Sequence, residues 1–98
     1  MKSKLESSFQ KDLIKWGKDH EVLIIKTVAP GENGFPDTVC IGKMGTLFLE
    51  LKKRGEKPAP LQERFIRQIN SYSSPMTAAA WSDNLEDAIS KIKSYCLR

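Results

Sequence analysis

The sequence predicts an α/β (α+β) fold in which a mixed central sheet is flanked by helices. Three observations predict it: apolar residues recur at helical spacing in three segments, four short segments carry the β-branched or small apolar residues typical of strands, and only a short link separates the second and third of these strands. The predicted order is helix, three strands, helix, strand, helix. The 98 residues suit a single domain, residues 1–98, with one hydrophobic core.

The first helix is predicted over residues 3–18. Ser3 and Glu6 stand at the spacing of a capping box, in which each side chain bonds a backbone N–H of the first turn. The apolar stripe of this helix is Phe9, Leu13 and Trp16. Glu6 lies on the same stripe, which leaves two interpretations of its carboxylate: a capping or solvent-facing group, or a member of a buried site.

The next three elements are predicted to be strands, over residues 21–27, 37–42 and 46–53. β-Branched residues are frequent in the first of them, and the turn-forming residues 29–34 separate it from the second. Because the link between the second and third strands is short, these two are expected to pair antiparallel.

A second helix, a fourth strand and a third helix complete the predicted order. Pro60 suits the first turn of the second helix, which runs to about residue 72. Its predicted buried stripe is Leu61, Phe65, Ile69 and Tyr72. Residues 76–81 are predicted to form a buried strand, and the last helix is expected to start at Ser82 or Asp83. The predicted inward residues of that helix are Leu85, Ala88, Ile89, Ile92 and Tyr95. A helical crossover between the third and fourth strands indicates a mixed sheet.

Composition limits the possible functions. The formal net charge of +4 favours an anionic partner, of which nucleic acid is the commonest. Two well-separated cysteines, Cys40 and Cys96, argue against a thiolate zinc site, and a single histidine, His20, argues against histidine-based zinc sites and Ser/His/Asp triads. No apolar stretch has the length of a membrane span, and no apolar signal segment follows the basic start, so we expect a cytoplasmic protein without a membrane partner.

The third strand ends in charged residues. Leu47, Leu49 and Leu51 alternate with Phe48, Glu50 and Lys52, so that Glu50 and Lys52 emerge on one face of the sheet. Charges at the end of a covered strand are costly unless they are paired or bind a metal. The alternative is that the strand simply leaves the core into a solvated Lys-Lys-Arg loop, followed by a charged, proline-containing loop over residues 54–59.

The length of the hairpin turn decides where Asp37 lies relative to these charges. A two-residue turn at Met44-Gly45 sets Asp37 opposite Lys52, and a four-residue turn over Gly42–Gly45 sets it opposite Glu50. Either turn places Asp37 on the face of Glu50 and Lys52. A three-residue turn would place it on the other face.

Carboxylates gathered on one face form an oxygen-ligand set. Asp37 and Glu50, with Glu6 as a possible third, suit a hard divalent cation such as Mg²⁺ or Mn²⁺. Such an ion activates bound water and offsets charge on a phosphate. Lys52, kept protonated by the neighbouring carboxylates, can orient that water or stabilise the transition state.

These residues resemble a known family. The segment Gly34–Asp37 (Gly-Phe-Pro-Asp), followed after a hairpin by Glu50–Lys52 (Glu-Leu-Lys), is similar to the bipartite signature of the PD-(D/E)xK nuclease superfamily. The closer resemblance is to its VRR-NUC branch, which carries a G-x-P-D segment, an E-x-K strand and a downstream glutamine, here Gln62. The resemblance covers nearly the whole chain and implies a restriction-endonuclease-like core.

The resemblance also implies roles for individual residues. The implied catalytic set is Asp37, Glu50, Lys52, Gln62 and Glu6. The implied ligands of Mg²⁺ or Mn²⁺ are Asp37, Glu50 and the carbonyl of Leu51, with no organic cofactor. Gln62 has a second interpretation as a surface residue in the first turn of its helix.

The implied activity is hydrolysis of DNA phosphodiester bonds by an endonuclease that selects branched, Holliday-junction or flap DNA by structure rather than by sequence. Standalone members of the branch are expected to be homodimers. The candidate phosphate-binding residues are Lys53, Arg54, Lys57, Arg64 and Arg67. Two alternatives remain: a non-catalytic nucleic-acid-binding module on a nuclease-like scaffold within a repair or replication complex, and a basic interaction domain that binds no nucleic acid.

Overall fold

The order of helices and strands is the one predicted. A computed structural model describes residues 4–27, 34–72 and 75–97, with side chains from residue 8 onward. Its elements are α1 (Lys4–Asp19), β1 (Leu23–Lys26), β2 (Thr38–Gly42), β3 (Gly45–Leu51), α2 (Pro60–Tyr72), β4 (Thr77–Ser82) and α3 (Leu85–Cys96). The predicted cap Ser3 lies outside the described residues.

The four strands form one mixed sheet in the order β1-β2-β3-β4. β1 pairs antiparallel with β2, β2 pairs antiparallel with β3, and β3 pairs parallel with β4. The parallel pair is possible because α2 carries the chain back between them, as the crossover rule predicts. β3 is therefore a central strand, hydrogen-bonded on both sides.

The hydrophobic core lies between one face of the sheet and the helices α1 and α3. Leu47, Leu49 and Leu51 point into it from β3, while Leu13 of α1 and Ile92 of α3 meet them, and all five are fully buried or nearly so. Burying one such side chain stabilises the fold by roughly 1.5–3 kcal/mol. The alternation along β3 thus places Glu50 on the opposite face.

The prediction of a buried stripe on α2 is wrong. No described residue of α2 is buried, and Leu61 and Tyr72 are 43% and 84% exposed. The half-buried positions are instead Gln62, Phe65, Ile66 and Ile69. The physical reason is that α2 lies alone on its face of the sheet and contacts mainly the edge strand β4, so no second layer covers it.

Asn70 of α2 closes part of the exposed edge of β4. Its Nδ2 donates to the carbonyl of Ala79 at 3.0 Å, and the Ala79 N–H donates to its Oδ1 at 2.7 Å. The side-chain amide thus makes the two bonds that a neighbouring strand would make. Covering an edge in this way blocks pairing with another chain.

α3 begins two to three residues later than predicted. Ser82 is still part of β4, and Asn84 is the N-cap, with its side chain accepting a hydrogen bond from the Asp87 N–H at 2.8 Å. The predicted inward face is largely confirmed, since Ala88 and Ile92 are buried and the other three residues are partly buried; Cys96, which was not predicted, is also buried. Among the described helices, none is long and apolar enough to cross a membrane.

Candidate active site

The β2–β3 register sets Asp37 opposite Glu50. Thr38 pairs with Leu49, and one step further along this antiparallel ladder Asp37 faces Glu50. This is the register predicted for the four-residue turn. The turn itself is tighter, because Gly42 pairs with Gly45 and only two residues lie between them. Asp37, Glu50 and Lys52 therefore share one face of the sheet.

The Glu50 carboxylate is 5% exposed and is held at both oxygens. Its Oε1 accepts from the Asp37 N–H at 3.2 Å, and its Oε2 accepts from Gln62 Nε2 at 3.0 Å. Lys52 Nζ lies 3.7 Å from the same Oε2. A buried carboxylate needs such partners, and together they fix its orientation.

The Asp37 carboxylate is tied to the backbone of the neighbouring strand. Its Oδ1 accepts from the Leu51 N–H at 3.0 Å and from Thr38 Oγ1 at 3.2 Å. Asp37 as a whole is half-buried. The two carboxylates are thus positioned by backbone N–H groups from each other's strands.

The segment before Asp37 explains how that residue is placed. Gly34 has a φ of +87° and lies against Leu61, where a Cβ would come within 2.9 Å of the Leu61 carbonyl oxygen. The Phe35 ring packs edge-to-face on Phe48 and Phe65, with centroids 5.8 and 5.7 Å apart. A buried proline follows. This segment therefore anchors the start of β2 against α2 and β3.

Gln62 connects the start of α2 to Glu50. Its Oε1 accepts from the Ala59 N–H at 2.8 Å, and the Ala59 carbonyl accepts from the Glu63 N–H at 3.0 Å, so Gln62 occupies the third position of a capping arrangement. Its Nε2 is then free to donate to Glu50. The surface interpretation of Gln62 is wrong, because this half-buried amide bridges a helix cap and a buried carboxylate.

Gln10 of α1 is part of the site and was missed by the sequence analysis. It is 7% exposed, and its Nε2 donates to Thr38 Oγ1 at 3.0 Å and to the Asp37 carbonyl at 3.4 Å. Of the predicted stripe, only Leu13 is fully buried, while Phe9 and Trp16 are partly buried. The missed signal is a polar residue at helical spacing, since Gln10, Leu13 and Gly17 lie on one face.

The remaining predicted ligands are placed as follows. Leu51 is the last residue of β3 and is 1% exposed. Glu6 lies in α1, but its side chain is outside the described residues. Among the side chains that the structure describes, no group of three or more Asp, Glu, His or Cys residues lies together. The described carboxylates of the site are therefore Asp37 and Glu50.

The predicted phosphate-binding residues are all exposed. Lys53, Arg54 and Lys57 are exposed in the loop after β3, and Arg64 and Arg67 are exposed on α2. The loop is an ordered turn: the Glu56 N–H donates to the Lys53 carbonyl at 2.9 Å.

Asp83 holds this basic loop from the end of β4. Its Oδ2 accepts from the Gly55 N–H at 2.9 Å, and its Oδ1 accepts from Asn84 Nδ2 at 2.9 Å. The Gly55 N–H is the main cause that lowers the pKa of Asp83 below its ordinary value, followed by the Asn84 amide. The loop is thus pinned to the strand beside the site.

Solved structures share this architecture. One, a VRR_NUC domain, matches with a TM-score of 0.79 and 21% identity over 95% of this chain and 99% of its own. Another, a VRR_NUC domain protein, matches with a TM-score of 0.72 and 20% identity over 97% of this chain and 90% of its own. No protein-family model and no curated protein matches the sequence.

The fold and site together define a small α/β domain with acidic residues at the end of its central strand. More specifically, the chain has the fold of the VRR-NUC domains. The resemblance identified from the Gly-Phe-Pro-Asp and Glu-Leu-Lys segments is confirmed at the level of the fold.

Proposed function

We propose that this chain is a Mg²⁺- or Mn²⁺-dependent DNA endonuclease that hydrolyses phosphodiester bonds. The observation that carries the proposal is the buried Glu50 carboxylate, which faces Asp37 and is held by Gln62 and Lys52. The sequence signature that the chain shares with VRR-NUC nucleases implies the chemistry at these positions.

The donor set fits a hard divalent cation, because the two carboxylates and the nearby Leu51 carbonyl are all oxygen donors. The side chains that softer metals prefer lie elsewhere: the Cys40 thiol of β2 is buried in the core, and the His20 ring stacks on Trp16 of α1. When bound, Mg²⁺ or Mn²⁺ would lower the pKa of a coordinated water and offset charge on the phosphate.

The protein's own groups would supply the rest of the chemistry. The Asp37 and Glu50 carboxylates would hold the ion, with Glu6 as a proposed further member. The Lys52 ammonium, 3.7 Å from Glu50, would orient the attacking water and stabilise charge on the phosphate oxygens. Gln62 is proposed as a positioning residue, since it fixes the orientation of Glu50.

The test is cleavage of plasmid, flap and four-way-junction DNA with Mn²⁺ or Mg²⁺, and with EDTA. Glu50→Gln and Lys52→Ala should each reduce the rate at least about 100-fold, the loss typical for removal of a charge-stabilising group. Glu86→Gln and Lys93→Ala, exposed positions on α3, are the matched controls and should cleave normally. Cleavage that survives both site substitutions would overturn the assignment. Salt-dependent binding without cleavage would instead support a non-catalytic module.

We further propose that selection is by DNA structure and that the basic residues contact phosphates. The support is their exposure and their place in the chain, either in the loop that follows Lys52 or on α2, which also carries Gln62. The phosphate-contacting set is Lys53, Arg54, Lys57, Arg64 and Arg67. Replacing any one should weaken binding to all DNA sequences about equally and lower the salt dependence of binding, because phosphate contacts carry no sequence information.

We also propose that the protein acts in the cytoplasm and that it forms a homodimer. The dimer is supported by an apolar patch on the sheet face away from the core, formed by Leu23, Ile25 and Ile41, which are 58%, 43% and 41% exposed. A patch on two adjacent strands suits a symmetric contact with a second copy, and a small domain gains stability from it. Light scattering coupled to size-exclusion chromatography should give twice the chain mass, and a monomer at all concentrations would refute it.

A further inference from the structure

A pocket of about 290 Å³ opens beside Lys52, outside the carboxylate site. Its walls come from three separate segments: α1, the end of β3 and the turn between β4 and α3. Lys52 belongs to both places, since its Nζ lies 3.7 Å from Glu50 and Lys52 is also one of the residues that line the pocket. Anything bound in this pocket is therefore next to the proposed site of cleavage.

The position of the pocket follows from the topology. β3 and β4 are parallel, so that their carboxyl ends meet at one edge of the sheet. The helix after β3 crosses one face of the sheet, and the helix after β4 crosses the other. A crevice opens where consecutive helices diverge in this way, and ligands of open α/β sheets bind in such crevices.

The lining combines cations with an apolar wall. Lys52, Lys53 and Arg54 directly follow β3, and Phe9 and Leu85 supply apolar surface. The Asp83 carboxylate accepts hydrogen bonds from the Gly55 N–H and the Asn84 side-chain amide, so it holds the basic loop in place. Asp12, an exposed carboxylate at the rim, can accept a hydrogen bond from an exocyclic amino group.

We propose that this pocket binds one unpaired nucleotide of the substrate strand, next to the scissile phosphate. Its phosphate would contact Lys53 and Arg54, and its base would lie against Phe9 and Leu85. That the bound nucleotide lies next to a scissile phosphate rests on the proposed nuclease function. Aromatic side chains bind bases by stacking, which every base permits.

This pocket gives a physical reason for selection by structure. A base inside a duplex must unstack and unpair before it can enter, whereas a base at a bulge, flap or branch is already free of that cost. DNA with an unpaired nucleotide should therefore bind more tightly than a fully paired duplex of the same flanking sequence.

The experiment measures binding in EDTA, by fluorescence anisotropy, for three duplexes: fully paired, with one bulged nucleotide, and with one bulged abasic site. The wild-type protein should bind the bulged nucleotide about tenfold more tightly than the paired duplex, and the abasic bulge should lose most of that gain. Phe9→Leu should reduce the preference to about twofold or less. Trp16→Leu, an aromatic substitution on the same helix outside the pocket, should keep it.

Thermal melts of both variants show whether they fold. Equal affinity for bulged and paired DNA, a preference that survives loss of the base, or a preference unchanged in folded Phe9→Leu would each overturn the inference. If Phe9→Leu is unfolded, Leu85→Ala in the apolar wall of the pocket replaces it and should likewise reduce the preference for the bulged nucleotide over the paired duplex. Cleavage is scored separately with Mn²⁺: a protein that shows the base-dependent preference but never cuts DNA supports the pocket and refutes the nuclease.

Discussion

Replacing Gly34 by alanine should destabilise the protein considerably more than the same change at Gly55. Both glycines have a φ of +87°, so the backbone strain of adding a side chain is the same. Their surroundings differ. A Cβ on Gly34 would lie 2.9 Å from both Cγ and the carbonyl oxygen of Leu61, whereas a Cβ on Gly55 would have no neighbour within 4 Å. Gly55 is thus a control for the strain alone.

The magnitudes follow from these contacts. A left-handed backbone destabilises the folded state of an L-residue by roughly 1–2 kcal/mol. Replacing glycine by alanine also lowers the conformational entropy of the unfolded chain, which offsets about 0.4–1 kcal/mol of that cost. Gly55→Ala should therefore cost about 1 kcal/mol or less. Gly34→Ala adds an overlap with the first turn of α2, and overpacking of this kind costs roughly 1–3 kcal/mol. The expected total for Gly34 is about 2–4 kcal/mol.

The assay is thermal and urea unfolding followed by circular dichroism. One kcal/mol corresponds to about 4–8 °C in a domain of this size, so Gly34→Ala should melt at least about 8 °C lower, and Gly55→Ala no more than about 8 °C lower. Cleavage should fall only in the Gly34 variant, because that segment positions Asp37. Equal melting temperatures of the two variants would refute the reasoning that Leu61 restricts position 34.

Two further predictions concern stability. Asn70→Ala removes both hydrogen bonds to the Ala79 backbone at the sheet edge and should lower the free energy of unfolding by about 1–2 kcal/mol, measured in urea; a change under about 0.3 kcal/mol would show that the edge needs no cover. Burial raises the pKa of the Cys40 thiol, with the nearby Cys96 adding to the effect, so the folded thiol keeps its proton around pH 9.0, the ordinary pKa at which the unfolded thiol loses it. The contribution of this thiol to the free energy of unfolding is fully present below that pH. Above it, the free energy of unfolding falls by about 1.4 kcal/mol per pH unit. The melting temperature should therefore drop less from pH 8 to pH 10 in a Cys40→Ala variant than in the wild type. The same drop in both proteins would contradict the prediction.

The incorrect prediction on α2 has a general cause. The spacing of Leu61, Phe65, Ile69 and Tyr72 marks an apolar face, but periodicity does not say whether another layer covers that face. Here the helix packs alone on an edge strand, and Leu61 and Tyr72 stay exposed. The same spacing on α3 was interpreted correctly, because that helix packs on the centre of the sheet beside α1.

That Glu50 and Lys52 share one face of the sheet was determined by the sequence alone, because side-chain alternation along a strand is a local property of the chain. Whether Asp37 joins them, and which residue it faces, was not, since both depend on the length and position of the hairpin turn.

Only the tertiary structure decided that Gln10 and Gln62 converge on these acids and that three segments enclose a pocket beside them. Gln10 meets Thr38 across 28 positions of the chain, and Gln62 meets Glu50 across 12. Contacts at such separations arise from how helices pack on the sheet, and no pattern within a single element encodes them.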